Sequence, residues 1–170
     1  MMSSSSWKRP KLNIPKTMGE KIGDGIGLTL YIGSILFLAY LWKDLPDKVP
    51  AHYNFAGEVD RWGSKWELWI FPGLGLFIFL FMTIFEKFPE THNYPKRFNE
   101  SNAAQFYLIS RKLINEIKNI SLIIFAILMF ESAAIAMGWW KGLGIWLLPI
   151  FIIGVGIPIV KMLLKQRKIK

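Results

Sequence analysis

The 170-residue chain has no cysteine and only two histidines, His52 and His92. The first absence excludes disulfides, a thiol nucleophile and any thiolate metal site. The second leaves His52, Glu58 and Asp60, within nine residues, without a second histidine, and their spacing matches no metal-site signature. No metal and no cofactor are therefore expected. Also missing are G-x-S-x-G, H-E-x-x-H and a phosphate-binding Gly-Lys-Ser/Thr loop. No repeat of a two-span unit is evident, which gives an inverted-repeat transporter no support. These absences lean the reading away from an enzyme without deciding it. Acidic residues are scarce too, with 12 Asp+Glu against 21 Lys+Arg.

What the chain has in abundance is apolar sequence, at 52% of residues. It falls into four runs, about Ile22–Leu41, Leu68–Phe85, Asn119–Gly138 and Leu143–Val160. Each is long enough to cross roughly 30 Å of hydrocarbon as a helix. Helix is required because backbone groups in lipid must be satisfied within the segment. The expected fold is an all-α integral membrane protein. It has four transmembrane helices, a structured outer loop and an inner amphipathic helix. Pro72, Pro149 and Pro158 predict local kinks.

The basic residues lie outside the apolar runs, so they read as orientation signals and not as a nucleic-acid surface. Residues 1–21 carry five Lys/Arg, 86–118 carry six and 161–170 carry five, sixteen on one side. The loop 43–67 carries four and Lys141 is the fifth on the other side. This asymmetry predicts cytoplasmic termini and an outer 43–67 loop. Trp42, Trp62, Trp66, Trp69, Trp139 and Trp140 would then all sit at the outer interface.

The segment 1–21 reads as a retained, poorly ordered tail that contains a low-complexity SSSS run. The cluster GDGIG at Gly23–Gly27 reads as flexible backbone where the first span begins. Between spans two and three, PETHNYPKRFNE reads as irregular. From about Asn99 a helical face emerges at Phe106, Ile109, Leu113, Ile117 and Ile120. Arg111, Lys112, Glu116 and Lys118 would keep the rest of that helix polar. Its apolar face could lie on the inner leaflet or pack on the bundle.

Two places could carry function. The outer loop concentrates His52, Asn54, Asp60, Arg61 and Lys65 beside Tyr53, Phe55, Trp62 and Trp66, a mixture suited to recognition or to interface anchoring. Pro46, Pro50, Gly57 and Gly63 equally suit a merely structured loop. Glu131 is the second. It lies twelve residues beyond Asn119, roughly 18 Å into the third span by the helical rise. Carboxylates at that depth usually face a bundle interior or a cavity. It is expected to support a ligand, ion or proton site, or to hydrogen-bond a neighbouring span or Arg61, Lys65 or Lys141. The small residues Ser132, Ala133, Ala134, Ala136 and Gly138 would let helices approach closely there.

The loop LPDKVPAHYNFAGEVDRWGSK resembles the segment that marks the DUF1648 membrane domain, the N-terminal half of SdpI-like immunity proteins. The matching positions are Leu45, Pro46, Pro50, His52, Asn54, Gly57, Asp60, Gly63, Ser64 and Lys65. The stretch NYPKRFNESNAAQFYLISRKL is similar to the same family after its second span, at Asn93, Pro95, Asn102, Gln105, Tyr107 and Arg111. The resemblance spans roughly residues 26–118. It divides the chain into a tail (1–21), a two-span unit (22–118) and a C-terminal two-span unit with a basic tail (119–170). It implies a multi-pass protein of a bacterial cell membrane with an immunity or peptide-sensing role. The partners would be the lipid bilayer and a secreted peptide or membrane protein, and no nucleic acid. The alternatives are a membrane enzyme or ion-handling protein with a polar site near Glu131, and a structural or regulatory subunit whose basic tail docks a partner or anionic lipid.

Overall fold

The computed structural model describes residues 8–142 and 144–170. The SSSS run and Leu143, the expected first residue of the fourth span, lie outside the described residues. The chain folds into four long helices and one two-stranded hairpin. They are α1 (Met18–Leu41), β1 (Lys48–Tyr53), β2 (Val59–Ser64), α2 (Ile70–Lys87), α3 (Ala103–Ala136) and α4 (Leu147–Arg167). All four helices are long and apolar enough to cross a membrane. The protein is a multi-pass helical membrane protein.

The helices begin where local chemistry allows. At α1, Thr17 and Glu20 form a capping box, with the Thr17 amide donating to Glu20 Oε2 at 2.8 Å. That arrangement satisfies backbone groups a helix start leaves open. Pro72 and Pro149 are each the third residue of their helix. First-turn amides have no intrahelical partner, so proline is tolerated there and the kinks expected at these two positions are not required. Among the described residues, only Pro158 lies beyond the first turn of a helix.

α3 is the hub. α1, α2 and α4 all contact it, and half of its most apolar window is buried, against 6% for α4. Its 34 residues would extend roughly 50 Å, well beyond a hydrocarbon core of about 30 Å. The expected inner helix and the third span are thus one continuous element. Arg111 and Lys118, expected to lie on its polar outer side, are instead buried in the bundle. α1 and α3 run in the same direction, since Glu20 meets Arg111 and Ser34 reaches Met129. The GDGIG cluster serves this packing. A Cβ at Gly27 would come within 2.8 Å of Asn119 Oδ1. The glycines permit close approach here, where the sequence suggested flexibility.

The 43–67 segment is an antiparallel hairpin in which Val49 faces Gly63 and Pro50 faces Trp62. At its tip Asn54 Oδ1 accepts from the amides of Ala56 (2.9 Å) and Glu58 (3.0 Å). Gly57 takes φ +78°, a left-handed conformation that favours glycine. Leu45, Val49 and Leu68 join Leu38 and Leu41 of α1 in the main core, which fixes the hairpin to one end of the bundle. The tip abuts the connection between α3 and α4, because a Cβ on Gly142 would lie 2.7 Å from the Gly57 carbonyl. Trp42 packs on Trp66 and Trp69 at this end, with ring centroids 5.0 and 5.6 Å apart. On α2 and α4 the side chains of Phe77, Phe81, Ile84, Ile150 and Ile153 are exposed, as lipid-facing residues should be.

Candidate functional site

A cavity of about 890 Å³ lies under the hairpin. That volume is in the range of small-molecule and cofactor sites. Its roof comes from Pro50–Phe55 and Asp60, and its walls from α2 (Phe71, Ile78), α3 (Ser121, Ile124, Phe125, Leu128) and α4 (Leu148, Phe151). The walls are almost wholly apolar. The wall residues descend one α-helical repeat of seven on both α2 and α3, a depth of roughly 10 Å.

The hairpin brings some of the expected residues to this cavity. His52 Nδ1 lies 2.6 Å from Asp60 Oδ1, and both line the roof with Asn54. The Asn54 side chain is committed to the turn, since its Nδ2 donates to Glu58 Oε2 at 2.9 Å. Tyr53 adds a strut to α3. Its hydroxyl is 2.9 Å from Ser132 Oγ, and burial holds its phenol above the ordinary value.

Three expected residues stand elsewhere. Arg61 donates to Glu67 Oε2 (2.9 Å) and to the Ala51 carbonyl (3.1 Å), so it braces the hairpin from outside the cavity. Lys65 reaches Asp47 Oδ1 at 3.5 Å and sits 5.5 Å from the Trp42 ring centre. Glu131 is half-buried and is not part of the cavity lining. Its neighbours Ser132, Ala133 and Ala134 take the fully buried side of the helix. The small residues do bring elements together, and it is Ser132 that hydrogen-bonds the hairpin.

At the opposite end of the bundle lies a charge network that sequence reading missed. Glu20 and Asp24 come from α1, Glu86 from the end of α2, and Arg111, Asn115, Lys118 and Asn119 from α3. Lys118, 1% exposed, lies 2.9 Å from Asp24 Oδ1 and 2.5 Å from Glu86 Oε1. Asn115 and Asn119 donate to Asp24 Oδ1 at 2.8 and 3.0 Å. Arg111 grips Glu20 with two parallel contacts of 2.9 and 3.0 Å, the bidentate geometry only arginine supplies. Lys16 completes the set from the N-terminal segment, 2.6 Å from both Asp24 Oδ2 and Glu86 Oε2. Burial works against the Lys16 charge, but the two carboxylates more than offset it and hold its ammonium above the ordinary value. A signal for this network was available. Arg111, Asn115, Lys118 and Asn119 are spaced for one helical face, as are Glu20, Asp24 and Gly27 on α1. Two matching stripes of opposite charge point to a seam, not to a solvated side.

Beside the network, His92 is held between the bundle and residues 88–102. Its Nε2 donates to the Phe85 carbonyl at 3.0 Å, so Nδ1 is the acceptor facing Ser110 Oγ, also at 3.0 Å. Burial, only partly offset by the Phe85 carbonyl, pushes its pKa down. The unfolded chain therefore binds the proton more readily, and the stability linked to neutral His92 is complete above about pH 6.5 and lost as pH falls through the folded value. Thermal unfolding in detergent should fall between about pH 7.5 and pH 5.5, with a shallower fall for His92→Gln.

A membrane-helix bundle with a roofed apolar cavity at one end and a largely buried charge network at the other is the class this geometry defines. Residues 29–76 match the family described as "Domain of unknown function (DUF1648)". The matched part runs from the middle of α1 through the hairpin into the first turns of α2, and so includes the cavity roof. No curated protein and no solved structure matches the chain.

Proposed function

We propose that the protein is a non-enzymatic recognition protein of the bacterial cell membrane, of the immunity or peptide-sensing kind. Its 43–67 hairpin faces outward and meets an extracytoplasmic ligand whose apolar part enters the cavity beneath. The observation that carries this reading is the cavity itself. A polar roof of His52 and Asp60 over apolar walls suits an amphipathic ligand, with polar groups for orientation and apolar surface for affinity. The Lys/Arg asymmetry supports the orientation, and the resemblance to SdpI-like proteins supports the role.

The test is survival of a sensitive host that expresses the chain and is challenged with a secreted membrane-active peptide. Wild type should raise survival. Leu128→Trp, which fills the cavity, and Asp60→Ala, which strips the roof, should each abolish protection while membrane insertion and expression stay at wild-type levels. Full protection by both variants would remove the cavity from consideration.

One observation favours a second reading, ion handling. Half-buried Asp24 and buried Glu86 and Lys118 join three spans, although Lys118 is thirteen residues from Glu131 along α3. Proton or cation flux in reconstituted vesicles, abolished by Glu86→Gln, would support it. The free basic tail of the subunit reading is partly engaged within the chain. Arg97 donates to the Gln166 carbonyl at 2.6 Å, and Asn102 to that of Lys170 at 3.1 Å.

A further inference from the structure

The segment 8–17 precedes α1 without helix or strand and lies across the charged end of the bundle. The sequence suggested a loose tail, but the segment is pinned at three points. The Arg9 guanidinium donates to the carbonyls of Glu90 (2.9 Å) and His92 (2.6 Å) and lies over the rings of Tyr94 and Phe98. Arg111 donates to the carbonyls of Ile14 and Pro15, the latter at 3.0 Å. Lys16 enters the charge network. Every anchor is polar or cationic, and the apolar Leu12 remains exposed. A strap whose anchors are charges and hydrogen bonds, with only Pro10 and Ile14 half-buried beside them, can be displaced by a competing charged surface.

The network shows what displacement involves. Around Glu86 and Asp24 stand Lys118 and the Asn115 and Asn119 amides from α3, and Lys16 from the strap. The Glu20–Arg111 pair lies one turn away. With Lys16 in place the four central charges balance. With Lys16 gone, two carboxylates share one lysine in a buried setting, a state that uptake of one proton would relieve. The strap also carries Lys8, Arg9, Lys11 and Lys16 immediately before a membrane-spanning helix, the arrangement that binds anionic lipid surfaces.

We infer that residues 8–17 form a displaceable strap whose second binding partner is an anionic lipid surface. The strap exchanges the Asp24–Glu86 carboxylates for lipid headgroups, and its release leaves the carboxylate pair to take up a proton.

The chain has no native cysteine, so spin labels at Asn13→Cys and Glu100→Cys report the strap's position without interference. In nanodiscs of zwitterionic lipid the pair should give one short, narrow distance distribution. With anionic lipid the short population should fall about tenfold in favour of longer distances. Lower pH should enhance the shift and high salt should reverse it. Glu86→Gln should release the strap even in zwitterionic lipid, because three remaining charges then carry one positive excess. Lys16→Gln, which removes the anchor and leaves α2 and α3 intact, should do the same if Glu86→Gln does not fold. A distribution that stays short and narrow in anionic lipid, at neutral and at lower pH alike, would overturn the inference.

Discussion

Lys118→Met should cost about 3–5 kcal/mol of stability, the penalty for leaving a buried charge uncompensated. Lys118 is the central positive charge of the network, touching both Asp24 and Glu86. Methionine matches its stem, so the loss reports the ammonium, including its place 5.5 Å from the Phe79 ring centre. What remains is two carboxylates facing Lys16 alone. The decisive comparison is the double variant Lys118→Met with Glu86→Gln. It restores one negative charge against one positive charge, and it should recover most of the loss. Unfolding followed by circular dichroism in bicelles against denaturant would measure both. If the double variant were as unstable as the sum of its parts, lost shape and not charge balance would be responsible.

Arg111→Ala should be comparably damaging, again about 3–5 kcal/mol. It removes both contacts to Glu20 and both carbonyl contacts that hold Ile14 and Pro15. Glu20, 5% exposed, would keep only its capping role with Thr17. Arg111→Lys should recover only part, because an ammonium cannot reach two carboxylate oxygens and two carbonyls in one plane. The same unfolding measurement separates the three forms, and wild-type stability in Arg111→Lys would show that the fork geometry is unimportant. The damage should centre on the α1–α3 seam and leave the hairpin's pairing intact.

Much of the architecture was legible because hydrocarbon imposes it. Four apolar runs had to be helices, and each carries one. The proline- and glycine-punctuated segment 43–67 had to be ordered somehow, but its two strands were not readable. Their pairing depends on the Asn54 turn, on Gly57 and on the core contacts of Val49, and no simple alternation announces them. The site was harder. His52 and Asp60 stand out by type and do share the cavity roof. The cavity walls are ordinary Phe, Ile and Leu, indistinguishable in sequence from lipid-facing residues. Only the arrangement of three helices under the hairpin makes them a site. The charge network is hidden in the sequence for the opposite reason. Arg111 and Lys118 look like any polar side of an amphipathic helix until Glu20, Asp24 and Glu86 are set beside them. Glu131 stands out as a lone charge in an apolar run, whereas the partnered charges at the run's end make the tighter structure.

The partners in that network are far apart along the chain. Glu20 and Arg111 are separated by 91 residues, as are Asp24 and Asn115. While the ribosome is still making α3, the first two helices already carry Glu20, Asp24 and Glu86, with Lys16 the only network cation yet made. Those spans can enter the bilayer but cannot settle against each other with their charges balanced. The arrival of Arg111 and Lys118 closes the account in one step. Assembly of this protein is therefore set to be late and cooperative, with the third helix acting as the keystone for the two that precede it.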